Sequence, residues 1–188
     1  MTEMCSSNGQ LILVVGASGS GKDTLLIGAS KVLSENLEFV FIQREITRPA
    51  DAGGENHIAI SQKVFNARLA NGEYALCWTA NGLSYGIGKT LDRSLKEGKT
   101  VILNGSRGAI RDIKKKYPTV KIIQITVSKN ILRKRLKERG RETEKEIEER
   151  LERGQSLRLR GNKIYYFAND QPLDVSLKSF VSFLTVVK

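Results

Sequence analysis

Lys22 closes the run Gly16-Ala17-Ser18-Gly19-Ser20-Gly21, a spacing suited to holding phosphate. Glycines at 16, 19 and 21 let the backbone curl so that successive N–H groups point at one anion. A helix opening near Lys22 adds its unpaired N–H groups and the positive end of its dipole. Lys22 itself supplies a mobile point charge for a terminal phosphate. The apolar run Leu11–Val15 leads straight into the turn and reads as a strand buried on both faces. That strand-to-helix setting favours a phosphate-binding P-loop over a plain strand–turn–helix joint with a capping glycine. Where Ser or Thr would normally hold magnesium, the chain has Asp23 followed by Thr24. An aspartate can bind the metal directly or through water, yet its charge also repels a nucleotide, so the metal ligand stays open between the two.

A second group able to do chemistry lies far along the chain: Arg135, Arg139, Arg141 and Arg150. Arg135 and Arg139 are four residues apart, hence on one helix face, where like charges repel unless an anion separates them. Exposed arginines often do little beyond keeping a surface soluble. The functional alternative is a clamp on charge developing at a transferred phosphoryl group, a reaction that needs positioning and electrostatics more than covalent chemistry. Residues 141–153 carry Glu146–Arg150 and Glu149–Arg153 at i,i+4 spacing, with only Ile147 and Leu151 as an apolar pair. Such a helix is expected to be mostly solvated and poorly anchored, as a moving lid requires.

The elements that must position these residues alternate strand and helix. Thr24–Leu33, with Leu25, Leu26, Ala29 and Leu33 at helical spacing, is the P-loop helix. Glu38–Gln43 is a second buried strand, and 44–57, polar with Pro49 and paired glycines, reads as a loop. Ser61 caps a helix running to Asn71 with Val64, Phe65 and Leu69 on one face. Tyr74–Ala80 and Leu83–Ile87 flank Asn81-Gly82, a strong hairpin signal. A short helix over Lys89–Lys96 stops at Gly98, and Thr100–Leu103 is another buried strand. A basic helix ends at Tyr117-Pro118, with Lys114, Lys115 and Lys116 expected on a solvated face. Val120–Val127 is a strand, Ser128 caps a helix that pairs Leu132 with Leu136, and Gly140 ends it. After the strand Ile164–Ala168, Asp170 is a candidate cap and Pro172 a suitable first residue for a helix burying Leu173, Leu177, Phe180 and Leu184. The rhythm predicts an α/β P-loop fold in three layers, its mostly parallel sheet covered on both faces, with ligands at the carboxyl ends of the strands.

At 188 residues, 40% hydrophobic and 27% charged, the chain suits one soluble domain. Residues 1–9 are expected to be disordered, 44–87 to form an acceptor-binding insertion and 137–153 the lid. No stretch reads as a membrane span or signal peptide, and Cys5 and Cys77 suggest no disulfide framework. A reducing cytoplasmic setting fits, with the chain a monomer or homodimer. The net charge of +11 would suit nucleic acid, but the basic residues are spread among helices and mixed with glutamates. Small phosphorylated ligands are the preferred partner class, with neither nucleic acid nor membrane expected.

From Leu11 to the final helix the chain resembles the guanylate kinase branch of the nucleoside monophosphate kinases. The resemblance rests on the P-loop, on Ile46-Thr47-Arg48-Pro49 with Gly53-Gly54-Glu55, and on Asn81-Gly82 with Tyr85-Gly86. Arg135-Leu136, Arg139-Gly140 and Arg150-Leu151 fall where that family carries lid arginines, and Asn169-Asp170 matches its adenine-side loop. There are departures. The position of the family's second acceptor-loop arginine is Asp51, its guanine-reading glutamate falls on Leu76, and the aspartate ending the next strand is Asn104. Losing one charge-assisted hydrogen bond costs about 1.5–3 kcal/mol, roughly tenfold to a hundredfold in binding. GMP is therefore a poor acceptor.

A narrower resemblance removes the conflict. Gly21-Lys22-Asp23, the stretch Ile46–His57, Gly82-Leu83-Ser84-Tyr85-Gly86 and Asn104-Gly105-Ser106-Arg107 are similar to the ribose 1,5-bisphosphate phosphokinases of bacterial phosphonate breakdown. That resemblance implies a guanylate-kinase-like ATP- and Mg2+-dependent enzyme that phosphorylates ribose 1,5-bisphosphate to 5-phospho-α-D-ribose 1-diphosphate. It implies nucleotide contacts from Gly16 to Thr24 and Asn169, with Lys22 bridging the β- and γ-phosphates and the metal near Asp23 or Thr24. Arg48 and Tyr85 would hold an acceptor phosphate, and Arg135, Arg139 and Arg150 would close on the transition state. Asp51, Glu55, His57, Asn104 and Arg107 are candidates for the ribose hydroxyls and the remaining phosphate. The rivals are a nucleoside monophosphate kinase of altered base preference, a non-catalytic guanylate-kinase-like binding module and a nucleic-acid binder.

Overall fold

The computed structural model describes residues 9–50, 56–140, 142–155 and 158–188, with backbone alone at 139 and 153–155. Its centre is strand β1 (Gln10–Gly16), in which all five residues Leu11 to Val15 are at most 1% exposed. Side chains on a strand point alternately to opposite faces. Leu11, Leu13 and Val15 therefore enter one core cluster, while Ile12 and Val14 enter another. The five-stranded parallel sheet has the order β2 (Phe39–Ile42), β7 (Thr100–Asn104), β1, β8 (Lys121–Thr126), β9 (Ile164–Ala168).

On the face of Ile12 and Val14 lie α1 (Lys22–Val32) and α7 (Leu173–Val187), packed through Leu25, Ala29, Phe180 and Leu184. On the other face lie α3 (Thr90–Lys96), α4 (Ile110–Lys116) and the inner side of a second sheet. That sheet, ordered β4 (Ile58–Ala59), β3 (Glu45–Ile46), β6 (Leu83–Gly88), β5 (Tyr74–Ala80), is the inserted hairpin with two short strands added. Asn81 and Gly82 take φ of 50° and 73°, the paired left-handed conformation that a two-residue hairpin turn demands. Glu45–Ile46 thus belongs to a strand rather than to the loop expected over 44–57, because β6 offers it an edge to pair with.

Other local expectations are revised by packing. In α2 (Gln62–Ala70) Ser61 caps as expected, accepting from the Val64 N–H, but only Phe65 is buried while Val64 and Leu69 are exposed. Leu173 is likewise exposed, since α7 begins there with Pro172 as its cap, while Phe180 and Leu184 are buried as expected and Val187 joins them. The Ser128 side chain makes no cap to α5 (Lys129–Arg139); Asp170 accepts from the Ser128 N–H at 2.7 Å, tying two strand ends together. Lys116 is not simply solvated, for its Nζ donates to the Ala75 carbonyl at 2.7 Å. The helix expected to be poorly anchored, α6 (Glu144–Gln155), buries Ile147 and Leu151 against Leu132 and Leu136 of α5 in a small core of their own. Glu146 accepts from the N–H and hydroxyl of Thr143 at the helix start, a capping box, and these bonds together with the charge of Arg150 lower its pKa.

Candidate active site

The turn after β1 is drawn tight by the Ser20 N–H, which donates to the Ala17 carbonyl at 3.1 Å. Gly19 and Gly21 take φ of 86° and 79°, and Gly21 caps α1. At Gly21 a Cβ would come within 2.4 Å of Asn169 Nδ2 and 3.5 Å of Arg135 Nη1, so only glycine lets the loop pass beneath those side chains. Asn169 is buried at the end of β9 and donates to the Ser20 carbonyl at 2.7 Å, fixing the loop from the far side of the sheet.

The charged residues of the loop form a compact set. Lys22 Nζ and Asn104 Nδ2 both donate to Asp23 Oδ1, at 2.9 and 2.7 Å. Burial alone would raise the Asp23 pKa, but the charges of Lys22 and Arg44 and the bonds from Lys22 and Asn104 outweigh it and hold the carboxyl below its ordinary value. Asp23 is thus an ionised oxygen donor of the kind Mg2+ prefers. Thr24 is exposed one residue on. Among the described residues no group of three acidic, histidine or cysteine side chains is gathered for a metal.

From the α5–α6 pair, Arg150 Nη1 donates to Ser18 Oγ at 2.8 Å and lies 3.2 Å from Glu142 Oε1. Arg135 brings a buried Nη1, with no hydrogen-bond partner among the described residues, beside Gly21. A buried cationic donor left so is suited to an anionic group entering the loop. Arg139 lies in the last turn of α5, its side chain outside the described set, and Arg141 is outside it altogether.

On the acceptor side, Arg48 Nη2 lies 3.3 Å from His57 Nδ1, and His57 Nε2 lies 3.2 Å from the Arg48 carbonyl. Thr47 anchors this segment to the hairpin, its Oγ1 accepting from the Ser84 N–H at 2.9 Å. Tyr85, 8% exposed, stacks on its cross-strand neighbour Trp78 with ring centroids 5.4 Å apart. Arg107 sits in a 3-10 turn (Arg107–Ala109) after β7 with a buried Nη1 lacking a partner among the described residues; burial lowers its pKa. Asp51 and Glu55 lie outside the described residues. A cleft of about 210 Å³ beside α1 is walled by Asp23 and Asn104 on the P-loop side and by Arg44 and Asn56 on the insertion side. The sequence reading missed Arg44; its one available signal was a charge directly after a buried apolar strand.

The guanylate kinase family model matches residues 8–179. The ribose 1,5-bisphosphate phosphokinase PhnN of Desulfomicrobium baculatum is 44% identical over 164 residues, covering 87% of this chain and 88% of that protein. Its namesake in Thiobacillus denitrificans is 40% identical over 179 residues, covering 95% and 94%. This chain belongs to the ribose 1,5-bisphosphate phosphokinases of the guanylate kinase family. The fold agrees with the guanylate kinase of Anaplasma phagocytophilum at a TM-score of 0.64 and 19% identity, covering 96% of this chain and 86% of that one. A gluconokinase from Sinorhizobium meliloti shares the architecture more loosely, at a TM-score of 0.51 and 15% identity over 96% and 93%.

In this phosphokinase, then, the tertiary structure gathers three sets of the expected residues. Lys22, Asp23 and Asn104 meet at the strand ends, Ser18 and Gly21 lie under Arg150 and Arg135, and Arg48 meets His57. Leu76, which the resemblance puts at the family's base-reading position, is 8% exposed in the core and offers no polar group. Among the described residues no helix is long and apolar enough to cross a membrane.

Proposed function

We propose that the chain transfers the γ-phosphoryl group of ATP to the 1-phosphate of ribose 1,5-bisphosphate, yielding 5-phospho-α-D-ribose 1-diphosphate and ADP. An oxygen of the acceptor phosphate attacks the γ-phosphorus, the bond to the β–γ bridging oxygen breaks, and that oxygen leaves on ADP. The attacking oxygen is already ionised, so no general base is required. The backbone from Gly16 to Thr24 cradles the donor phosphates, Lys22 reaches the β- and γ-phosphates, and Asn169 borders the adenine side. Arg135, Arg139 and Arg150 neutralise charge as it spreads over the transferred group. Arg48 and Tyr85 hold an acceptor phosphate, with Asp51, Glu55, His57, Asn104 and Arg107 toward the ribose hydroxyls and the other phosphate. Mg2+ would be held by Asp23 and Thr24 together with phosphate oxygens and water, and would offset charge on the β- and γ-phosphates.

The observation that carries this reading is the glycine turn whose Gly21 lies beneath the buried Nη1 of Arg135, a donor with no hydrogen-bond partner among the described residues, in a chain whose relatives bear the name of this activity. The guanylate kinase family match supports a second reading, a nucleoside monophosphate kinase. An ADP-release assay offering ribose 1,5-bisphosphate, GMP, AMP and UMP separates the two. Turnover of the pentose bisphosphate well above every nucleotide is expected, and preference for GMP would overturn the proposal. The non-catalytic module predicts no ATP binding in calorimetry.

A further inference from the structure

Glu142 lies in the joint between α5 and α6, and its side chain is only 5% exposed in a segment otherwise crowded with solvated charge. Gly140, with φ of 64°, ends α5 shortly before it, and the capping box of Thr143 and Glu146 starts α6 directly after it. The carboxylate is therefore carried between two helix ends. Its Oε1 lies 3.2 Å from Nη1 of Arg150, and the same nitrogen donates to Ser18 Oγ at 2.8 Å. Glu142, Arg150 and Ser18 thus form a line from the helix joint to the phosphate-binding turn. Ile147 and Leu151, buried against Leu132 and Leu136, anchor the stretch of α6 that carries the arginine.

A carboxylate withdrawn from water is stable as an ion only beside a cation. An arginine on an exposed helix otherwise samples many rotamers, and each turnover would have to select the one that reaches the transferred group. The pair with Glu142 makes that selection before the substrates arrive, and the bond to Ser18 sets the planar guanidinium at the turn. Helical spacing does not choose this partner. Glu142 stands eight residues before Arg150, beyond the i,i+3 and i,i+4 reach of a helix surface. Glu146 has that spacing, yet its carboxylate accepts from Thr143.

We infer that Glu142 is a positioning residue for the phosphoryl transfer, acting through Arg150 rather than on either substrate. The inference rests on the proposed role of Arg150 at the transferred group. Its test is a double-mutant cycle on Glu142→Ala and Arg150→Ala, read as kcat with ATP and ribose 1,5-bisphosphate saturating, at a temperature where circular dichroism shows every variant folded. Glu142→Ala should lower kcat about 10–100-fold, the scale of a misplaced catalytic group, with both KM values nearly unchanged. In the Arg150→Ala background the same substitution should lower kcat no further. Glu142→Gln, which keeps an oxygen for Nη1 to donate to, should recover part of the rate and carries the cycle should the alanine variant fold poorly. Losses that multiply in the double variant, or full kcat in the Glu142 variants, overturn the inference, for the carboxylate then serves only the fold. Full kcat in Arg150→Ala overturns the proposed role of the arginine and the inference with it. A wild type inactive on ribose 1,5-bisphosphate overturns the proposed function, a distinct result, and the cycle is then read with GMP.

Discussion

The Nζ of Lys22 stands 2.9 Å from Oδ1 of Asp23, the next residue along the chain, and the same oxygen accepts from Asn104 at 2.7 Å. Successive residues of a helix normally project about 100° apart, so the contact requires Lys22 to curl over the helix start. The position that offers a hydroxyl in most P-loops here offers a carboxylate, which ties Lys22 to the end of β7.

Replacing Lys22 with Ala should lower kcat by at least about 10²-fold, the scale seen when one preorganised transition-state donor is lost. The circular dichroism spectrum should be retained, because the lysine supports no part of either core. ADP release at saturating ATP measures the loss, and near-normal turnover would contradict the assignment.

Asp23 makes stability depend on acid. Its pKa is lowered in the folded protein, so the unfolded chain takes up a proton first as pH falls. The stabilisation is full above the unfolded value of about 3.9 and is lost as pH drops through the lower folded value. Urea titrations from neutral pH down to acid should show this limb in the wild type and a shallower one in Asp23→Asn.

Asn169→Ala removes the donor to the buried Ser20 carbonyl. Leaving a buried acceptor unsatisfied costs about 1–3 kcal/mol, or roughly 2–4 °C in Tm per kcal/mol for a chain of this size. The KM for ATP should rise while that for the acceptor stays put, which steady-state kinetics with each substrate varied will report.

Within the hairpin sheet, Glu45 is 7% exposed and accepts from Tyr74 OH and Arg68 Nη1, both at 2.6 Å. Burial and the bond to Glu45 push the Tyr74 pKa up, so its phenolate should be missing from ultraviolet titrations until well above the ordinary range. Glu45→Gln should restore an earlier titration and cost about 1.5–3 kcal/mol, the worth of a hydrogen bond to a charged group.

Two substitutions distinguish the roles of the α5–α6 pair. Leu136 is fully buried in the small core of that pair, and Leu136→Ala should cost about 2–5 kcal/mol in thermal or urea unfolding. Arg150→Ala, which severs the contact to Ser18, should lower kcat at least about 10²-fold and also lower Tm, because it strips the cation from the buried Glu142 carboxylate.

Much of the donor half was legible in the linear chain because its signals are local. A strand buried on both faces must be continuously apolar, a turn that curls around phosphate must be glycine-rich, and a two-residue hairpin needs residues such as Asn81-Gly82. Those constraints act within a few residues, and the strands around β1 and the hairpin lie within a residue or two of where composition puts them. The buried faces of the helices were less legible. Apolar residues at helical spacing did not say which would find a partner, so Val64, Leu69 and Leu173 stayed exposed while Ile147 and Leu151 were buried.

Sequence alone determined that this chain carries a phosphate-gripping turn on a parallel α/β sheet with a hairpin inserted, since each follows from short-range backbone requirements. Only the tertiary structure decided that Asp170 caps the loop before α5, that Asn169 reaches the P-loop, and that Arg44 lies against Trp78 and Tyr85. Those contacts join residues 34 to 149 positions apart along the chain, and their geometry exists only once both sheets have packed.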